Sequence, residues 1–167
     1  MFIAGRQNVV LKSFWERYLT ANPDTTFVYR TVEGGKSVYK DHSGAIVSPT
    51  DSREVYMKLM RQSHACLYST PGIDGSRQTN GFSQVTPRFL ELIASGCHPL
   101  LRYPDNADTR FFRLQDFCPS IDDYEQFAAL MDEARHSEVD LRRYSDYLSE
   151  HYTSRIADQL QQIISQI

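Results

Sequence analysis

The sequence predicts an α/β fold of the Rossmann-like kind, a mostly parallel sheet with helices on both faces, in a single domain over residues 1–167. Three observations carry this. Apolar runs short enough for buried strands alternate with segments of helical periodicity, and parallel strands need such helical crossovers. The links between them are mostly short. Between Thr86 and Tyr103 a helix is written from start to stop and leads straight into a strand. Thr86 suits the N-cap, Pro87 the first helical position, and Gly96 the left-handed residue that closes the helix.

The elements follow in order. Met1 to Ala4 is an apolar opening that ends at Gly5 and reads as a buried strand. Leu11, Phe14, Trp15, Tyr18 and Leu19 then share one helical face, and Asn22-Pro23 stops that helix. Thr25 to Val32 is β-branched and aromatic, a second strand, closed by the turn Glu33-Gly34-Gly35-Lys36. Lys36 to His42 is ambiguous, whereas Ala45-Ile46-Val47, closed by Ser48-Pro49, reads as a shorter strand. Asp51 or Ser52 can cap a helix that packs through Val55, Tyr56, Leu59 and Met60, and His64 to Ser69 is a further strand.

In the helix from Thr86, Phe89, Leu90, Ile93 and Ala94 are expected on the packed face and Arg88, Glu91 and Ser95 on the free one. Pro99 to Arg102 reads as the next strand, followed by a polar link and by Phe117-Cys118-Pro119 as a last short strand. Ser120 can cap a helix over Ile121 to Arg135, on which Tyr124, Phe127, Ala128 and Met131 align. Two closing helices, over about 138–167, carry Leu141, Tyr144 and Leu148, then Ile156, Leu160, Ile163, Ile164 and Ile167.

At 167 residues and 41% hydrophobic content the chain can bury a core without disulfides or metal. A net charge of -3, with the cations scattered singly, provides no field for a polyanion, so nucleic acid is not an expected partner. No apolar run approaches the ~20 residues of a membrane span, and the start lacks the layout of a signal peptide. The expected location is the cytoplasm, including the cytoplasmic face of a membrane. Cys66, Cys97 and Cys118 are far apart, each beside an apolar run, and read as buried free thiols rather than zinc ligands.

The chemistry-bearing residues gather at strand ends. Gly5-Arg6 closes the first strand and Lys12 falls near the start of the next helix, which would bring two cations and a helix N-terminus together as a phosphate site; two ordinary exposed cations are the alternative. Glu91, one turn into its helix, could accept a pair of ribose hydroxyls, or simply pair with Arg88 in solvent. The loop from Thr70 to Val85 carries Gly72, Gly75 and Gly81 with Asp74, Arg77, Asn80 and Ser83; its length suits either a ligand loop or plain mobility. His64 and His98 flank apolar strands and read as core or edge histidines. No Ser-His-Asp or Cys-His set can be assembled from spacing.

At these residues the chain resembles the carboxyl-terminal, nucleotide-sugar-binding domain of GT-B fold glycosyltransferases. Phe2-Ile3-Ala4-Gly5-Arg6 with Lys12 is similar to that family's first strand, and Phe89-Leu90-Glu91-Leu92-Ile93-Ala94-Ser95-Gly96-Cys97-His98-Pro99 to its Glu-Ala-Met-Ala-Cys-Gly-x-Pro type segment. The resemblance implies a nucleoside-diphosphate sugar as donor, with Arg6, Lys12, Thr86 and Arg88 on the diphosphate and Glu91 on the ribose. It places the donor sugar at the loop Gly81-Phe82-Ser83-Gln84. Ser83 stands where many retaining members carry the first Glu of a Glu-x7-Glu pattern.

The resemblance also implies that no metal or other cofactor is obligatory and that the terminal helices pack back toward a second lobe. In that architecture the active site lies between two lobes, and the chain opens at the second lobe's first strand. An acceptor-binding amino-terminal lobe or partner chain is therefore expected, and no sugar transfer by this chain alone.

Overall fold

In the computed structural model, which describes residues 1–3, 8–74 and 79–165, six strands form one sheet in the order β4-β3-β2-β1-β5-β6. The strands are β1 (Phe2–Ile3), β2 (Val28–Glu33), β3 (Lys36–Asp41), β4 (Ile46–Ser48), β5 (Ala65–Ser69) and β6 (His98–Arg102). The helices are α1 (Val9–Ala21), α2 (Arg53–Arg61), α3 (Pro87–Ala94), α4 (Ala107–Phe111), α5 (Tyr124–His136), α6 (Leu141–Glu150) and α7 (Thr153–Ile164). Strand β1 pairs parallel with both β2 and β5, and β5 with β6 from Ala65↔His98 to Ser69↔Arg102. The α/β class and the mostly parallel sheet agree with the sequence. The sheet is mixed, however, because β2, β3 and β4 form an antiparallel meander.

That meander resolves the ambiguous stretch from Lys36. Gly34 and Gly35 both adopt positive φ, 55° and 78°, the backbone that a two-residue hairpin turn matched to strand twist requires. Val38 and Tyr39 are adjacent and both buried, so β3 is covered on both faces and shows no polar alternation to read.

Side-chain alternation along the central strands divides the core into two layers. Ile3, Ala65, Leu67 and Leu100 face α1 and α5 with Leu11, Trp15, Tyr18, Phe127 and Met131. Phe2, Cys66, Tyr68 and Leu101 face the other way, onto Met60 of α2, Phe89, Leu92 and Ile93 of α3, and Tyr144 and Tyr147 of α6. The three cysteines are free and buried, as expected.

Four expectations are corrected. Phe117-Cys118-Pro119 is irregular rather than a strand: Pro119 has no N–H to offer, and the return to β6 is made by Ile121 N–H to the Leu101 carbonyl at 2.8 Å. Ser120 does not cap a helix; its hydroxyl donates to Tyr103 O at 2.7 Å and accepts from Tyr103 N at 3.0 Å, while Asp123 caps α5 by accepting from Gln126 N. The polar link contains α4, held by a reciprocal capping box between Asn106 and Thr109. On α3 the buried arc is Phe89, Leu92 and Ile93, and Ala94 is exposed.

The closing helices differ from each other. Helix α6 packs on α3 and its Tyr144 hydroxyl donates to Cys97 O at 3.3 Å, whereas α7 leaves Ile156, Leu160, Ile163 and Ile164 exposed. Among the described residues no helix is long and apolar enough to cross a membrane.

Candidate functional site

The carboxyl ends of β1 and β5, the antiparallel β3 and the N-terminal ends of α1, α2 and α3 surround a cleft of about 1040 Å³. Parallel strands put the helix starts at that edge, where open α/β sheets present free backbone N–H groups to ligands. The three helix starts are finished differently. Asn8 Oδ1 caps α1 by accepting from Val10 N and Leu11 N, both at 3.0 Å. Ser52 Oγ caps α2 by accepting from Val55 N at 3.2 Å.

Helix α3 has the expected N-cap residue without the expected cap bond. The Tyr68 hydroxyl accepts from Thr86 N at 3.0 Å and lies 3.3 Å from Thr86 Oγ1, so the threonine side chain engages Tyr68 instead of its own helix. Pro87 has no N–H, and the Arg88 N–H has no acceptor among the described residues. The start of α3 therefore lines the cleft with one backbone N–H, that of Arg88, unsatisfied among the described residues.

The charged side chains of the cleft are mostly paired. Glu91 accepts from Arg53 Nη1 at 2.8 Å, a bridge from α3 to the first residue of α2; its carboxylate is 15% exposed and the arginine 71%. Asp51 accepts from Arg30 Nε at 2.5 Å and from the Tyr39 hydroxyl at 2.7 Å. Burial, then the bond to Asp51 and its charge, pushes the Tyr39 pKa up. Tyr56, beside Glu91, carries a buried hydroxyl with no hydrogen-bond partner among the described residues, and burial followed by the Glu91 charge raises its pKa. Arg88 is exposed on the cleft and has no ion-pair partner among the described residues.

Asp74 closes one end. Arg102, at the end of β6, donates Nη2 to Asp74 Oδ1 at 2.8 Å and Nε to Oδ1 and Oδ2 at 3.2 and 3.3 Å, and Asn8 Nδ2 donates to the same carboxylate. Burial acts to raise the Asp74 pKa, but the bonds from Arg102 and Asn8 and the guanidinium charge outweigh it and hold the carboxyl below its ordinary value.

No protein-family model, curated protein or solved structure matches this chain.

Of the residues singled out in the sequence, the fold brings Thr86, Arg88 and Glu91 together on the cleft. Arg6 lies outside the described residues, as do Gly5, Gly75 and Arg77. Lys12 lines a separate small cavity beside Trp15 and Ser69 and pairs with Glu16 at 3.7 Å. In the loop, Gly81, Phe82 and Gln84 are exposed, and Ser83 donates to the Thr70 hydroxyl at 2.7 Å. His64 and His98 sit at the opposite, amino-terminal end of β5 and β6, each with Nε2 on a backbone carbonyl, of Ala134 and of Ser137. A carbonyl only accepts, so both rings carry their proton on Nε2 in those bonds.

Asn8, Arg30, Tyr39, Asp51, Arg53, Tyr56 and Tyr68 also reach the cleft, and sequence reading gave none of them a ligand role. Asn8 was within reach, as an Asn directly before an apolar helical face. The others depend on strand order. What the arrangement can do is bind: it offers an uncapped helix start, an unpaired guanidinium, a carboxylate and tyrosine hydroxyls.

Proposed function

We propose that this chain is the donor-binding domain of a glycosyltransferase, related in architecture to the GT-B second lobe, and that its cleft takes a nucleoside-diphosphate sugar. The observation that carries the reading is the convergence of Thr86, Arg88 and Glu91 on a cleft of about 1040 Å³ at the sheet's carboxyl edge. The diphosphate would lie against the uncapped start of α3 and the Arg88 guanidinium, where helix charge and an arginine fork favour an anion. Glu91, one turn further along α3, would accept the ribose hydroxyls. Its present partner is Arg53, an exposed arginine whose surface pairing is weak and readily exchanged.

Transfer itself needs the anomeric carbon held against an acceptor hydroxyl while the departing diphosphate is stabilised. The cleft groups supply the second requirement, and an amino-terminal lobe or partner chain would supply the first.

A second reading is an interaction module whose cleft no longer takes a donor. It draws on Glu91 bridged to Arg53 and on Ser83 tied to Thr70 where a sugar-contacting carboxylate would stand. Calorimetric titration with a panel of nucleoside diphosphates and their nucleosides separates the two. Tighter binding of a diphosphate than of its nucleoside supports the donor site, and equal or absent binding of both removes it.

A further inference from the structure

The Arg102–Asp74 pair has the form of an anion site occupied by the protein's own carboxylate. One edge of the Arg102 guanidinium is anchored: Nη1 donates to Ile121 O at 2.7 Å and to Asp122 Oδ1 at 3.2 Å. That fixes the plane of the fork. The other edge, Nε and Nη2, presents two N–H groups side by side to Asp74, the geometry in which arginine takes a carboxylate or a phosphate in two-point contact. The pair is sheltered, with the Arg102 side chain 14% exposed and that of Asp74 18%.

The pair also lies where an anion would arrive. Asp74 lines the cleft and Arg102 does not, so the carboxylate stands between the cleft and the guanidinium. Asn8, the α1 cap, donates to the same carboxylate, which places Asp74 beside a second helix start. The two partners are held unequally. Arg102 is anchored on a strand end through a backbone carbonyl, whereas Asp74 lies in the loop that follows β5 and holds the fork through its side chain. Asp74 is the partner that can leave.

We propose that Arg102 is a phosphate-binding residue of this cleft and that Asp74 is an internal stand-in for the ligand, exchanged for a phosphate oxygen pair when a diphosphate binds. The inference rests on the donor-site reading. Entry of a diphosphate places negative charge beside the Asp74 carboxylate, so the two anions compete for one fork, and the Asp74 side chain turns off the fork as the ligand seats. The competition weakens binding of any phosphate ligand to the resting protein.

The test uses inorganic pyrophosphate, a nucleoside diphosphate and the matching nucleoside, titrated calorimetrically into the wild type, Asp74→Asn and the double variant Asp74→Asn/Arg102→Gln, with folding checked by circular dichroism. Asp74→Asn keeps the shape and one acceptor but removes the competing charge. It is expected to tighten pyrophosphate and diphosphate binding about tenfold, within the usual range for coupled binding events, with no change for the nucleoside and loss of the gain in the double variant. Unchanged or weaker pyrophosphate binding by folded Asp74→Asn overturns the exchange. If the wild type still prefers diphosphate to nucleoside in that case, the donor-site reading survives its failure.

A second measurement needs no variant. The Arg102 Nε–H resonance, followed by nitrogen-15 NMR during a pyrophosphate titration of the wild type, should shift with the same saturation as the cleft amides. An Nε–H signal that stays put while the amides of α3 move means that Arg102 never meets the ligand.

Discussion

Replacing Gly72 with alanine tests whether Gly72 packs against the backbone of Phe82. Gly72 has φ +85°, and a Cβ built there would lie 2.4 Å from Phe82 O and 2.5 Å from Thr79 Oγ1. The Thr79 contact is to a side chain, whereas the Phe82 carbonyl is backbone and must move with its chain. Gly81 supplies the control, with φ +77° and nothing within 4 Å of its would-be Cβ. Both substitutions incur the left-handed backbone penalty of roughly 1–2 kcal/mol. Only Gly72→Ala adds a steric term of about 1–3 kcal/mol for forcing an atom into occupied space. Gly72→Ala is therefore expected to destabilise more than Gly81→Ala by that second amount. Urea unfolding followed by the fluorescence of Trp15, the one tryptophan, measures it. Equal losses for the two variants would mean that Gly72 does not pack against Phe82.

Glu91→Gln should weaken ribonucleotide binding by about 1–3 kcal/mol, the scale of a hydrogen bond to a charged group, with little effect on unfolding; equally tight binding of a 2′,3′-dideoxy nucleotide by the wild type would sink the ribose contact. Arg53→Ala should change stability by less than about 1 kcal/mol, as surface pairs do, so a larger loss in urea unfolding would mean the bridge is structural. The Asp74 carboxyl is lowered in the fold, so its contribution to stability is full above its unfolded pKa and is lost as pH falls through the lower folded value. Acid unfolding of Asp74→Asn should lack that component, and a pH profile identical to wild type would count against the pairing.

Much of the fold was legible because its signals are local. The face of α1, the run of β5 and the Thr86–Gly96 boundaries of α3 each depend on residues within a turn or two of one another. The errors arise where a local signal was complete but tertiary partners chose differently. Leu92 is buried and Ala94 exposed because the packed arc of α3 is centred on Phe89 and reaches back by about 60°, at ~100° per residue. Thr86 has the right side chain for a cap, yet Tyr68, buried on β5, takes both its backbone N–H and its hydroxyl. Helix α4 was missed because five residues carry no period, although Asn106 and Thr109 spell its capping box.

The cleft was less legible for a topological reason. Arg102 meets Asp74, Arg53 meets Glu91 and Arg30 meets Asp51 across separations that no spacing rule connects. Each meeting follows from strand order: Ser69↔Arg102 register brings the end of β6 beside the exit of β5, and the hairpin turn at Gly34-Gly35 folds β3 back so that Tyr39 reaches Asp51. Once that order is known, the charges of the site cease to be separate cations and carboxylates. The acidic partners of Arg30, Arg53 and Arg102 hold them in pairs, and among the described residues Arg88 is the cleft arginine without an acidic partner. On the donor-site proposal, a ligand rich in negative charge would gain contacts in sequence, first at Arg88 and the start of α3, and afterwards by displacing the carboxylates now paired with the neighbouring arginines.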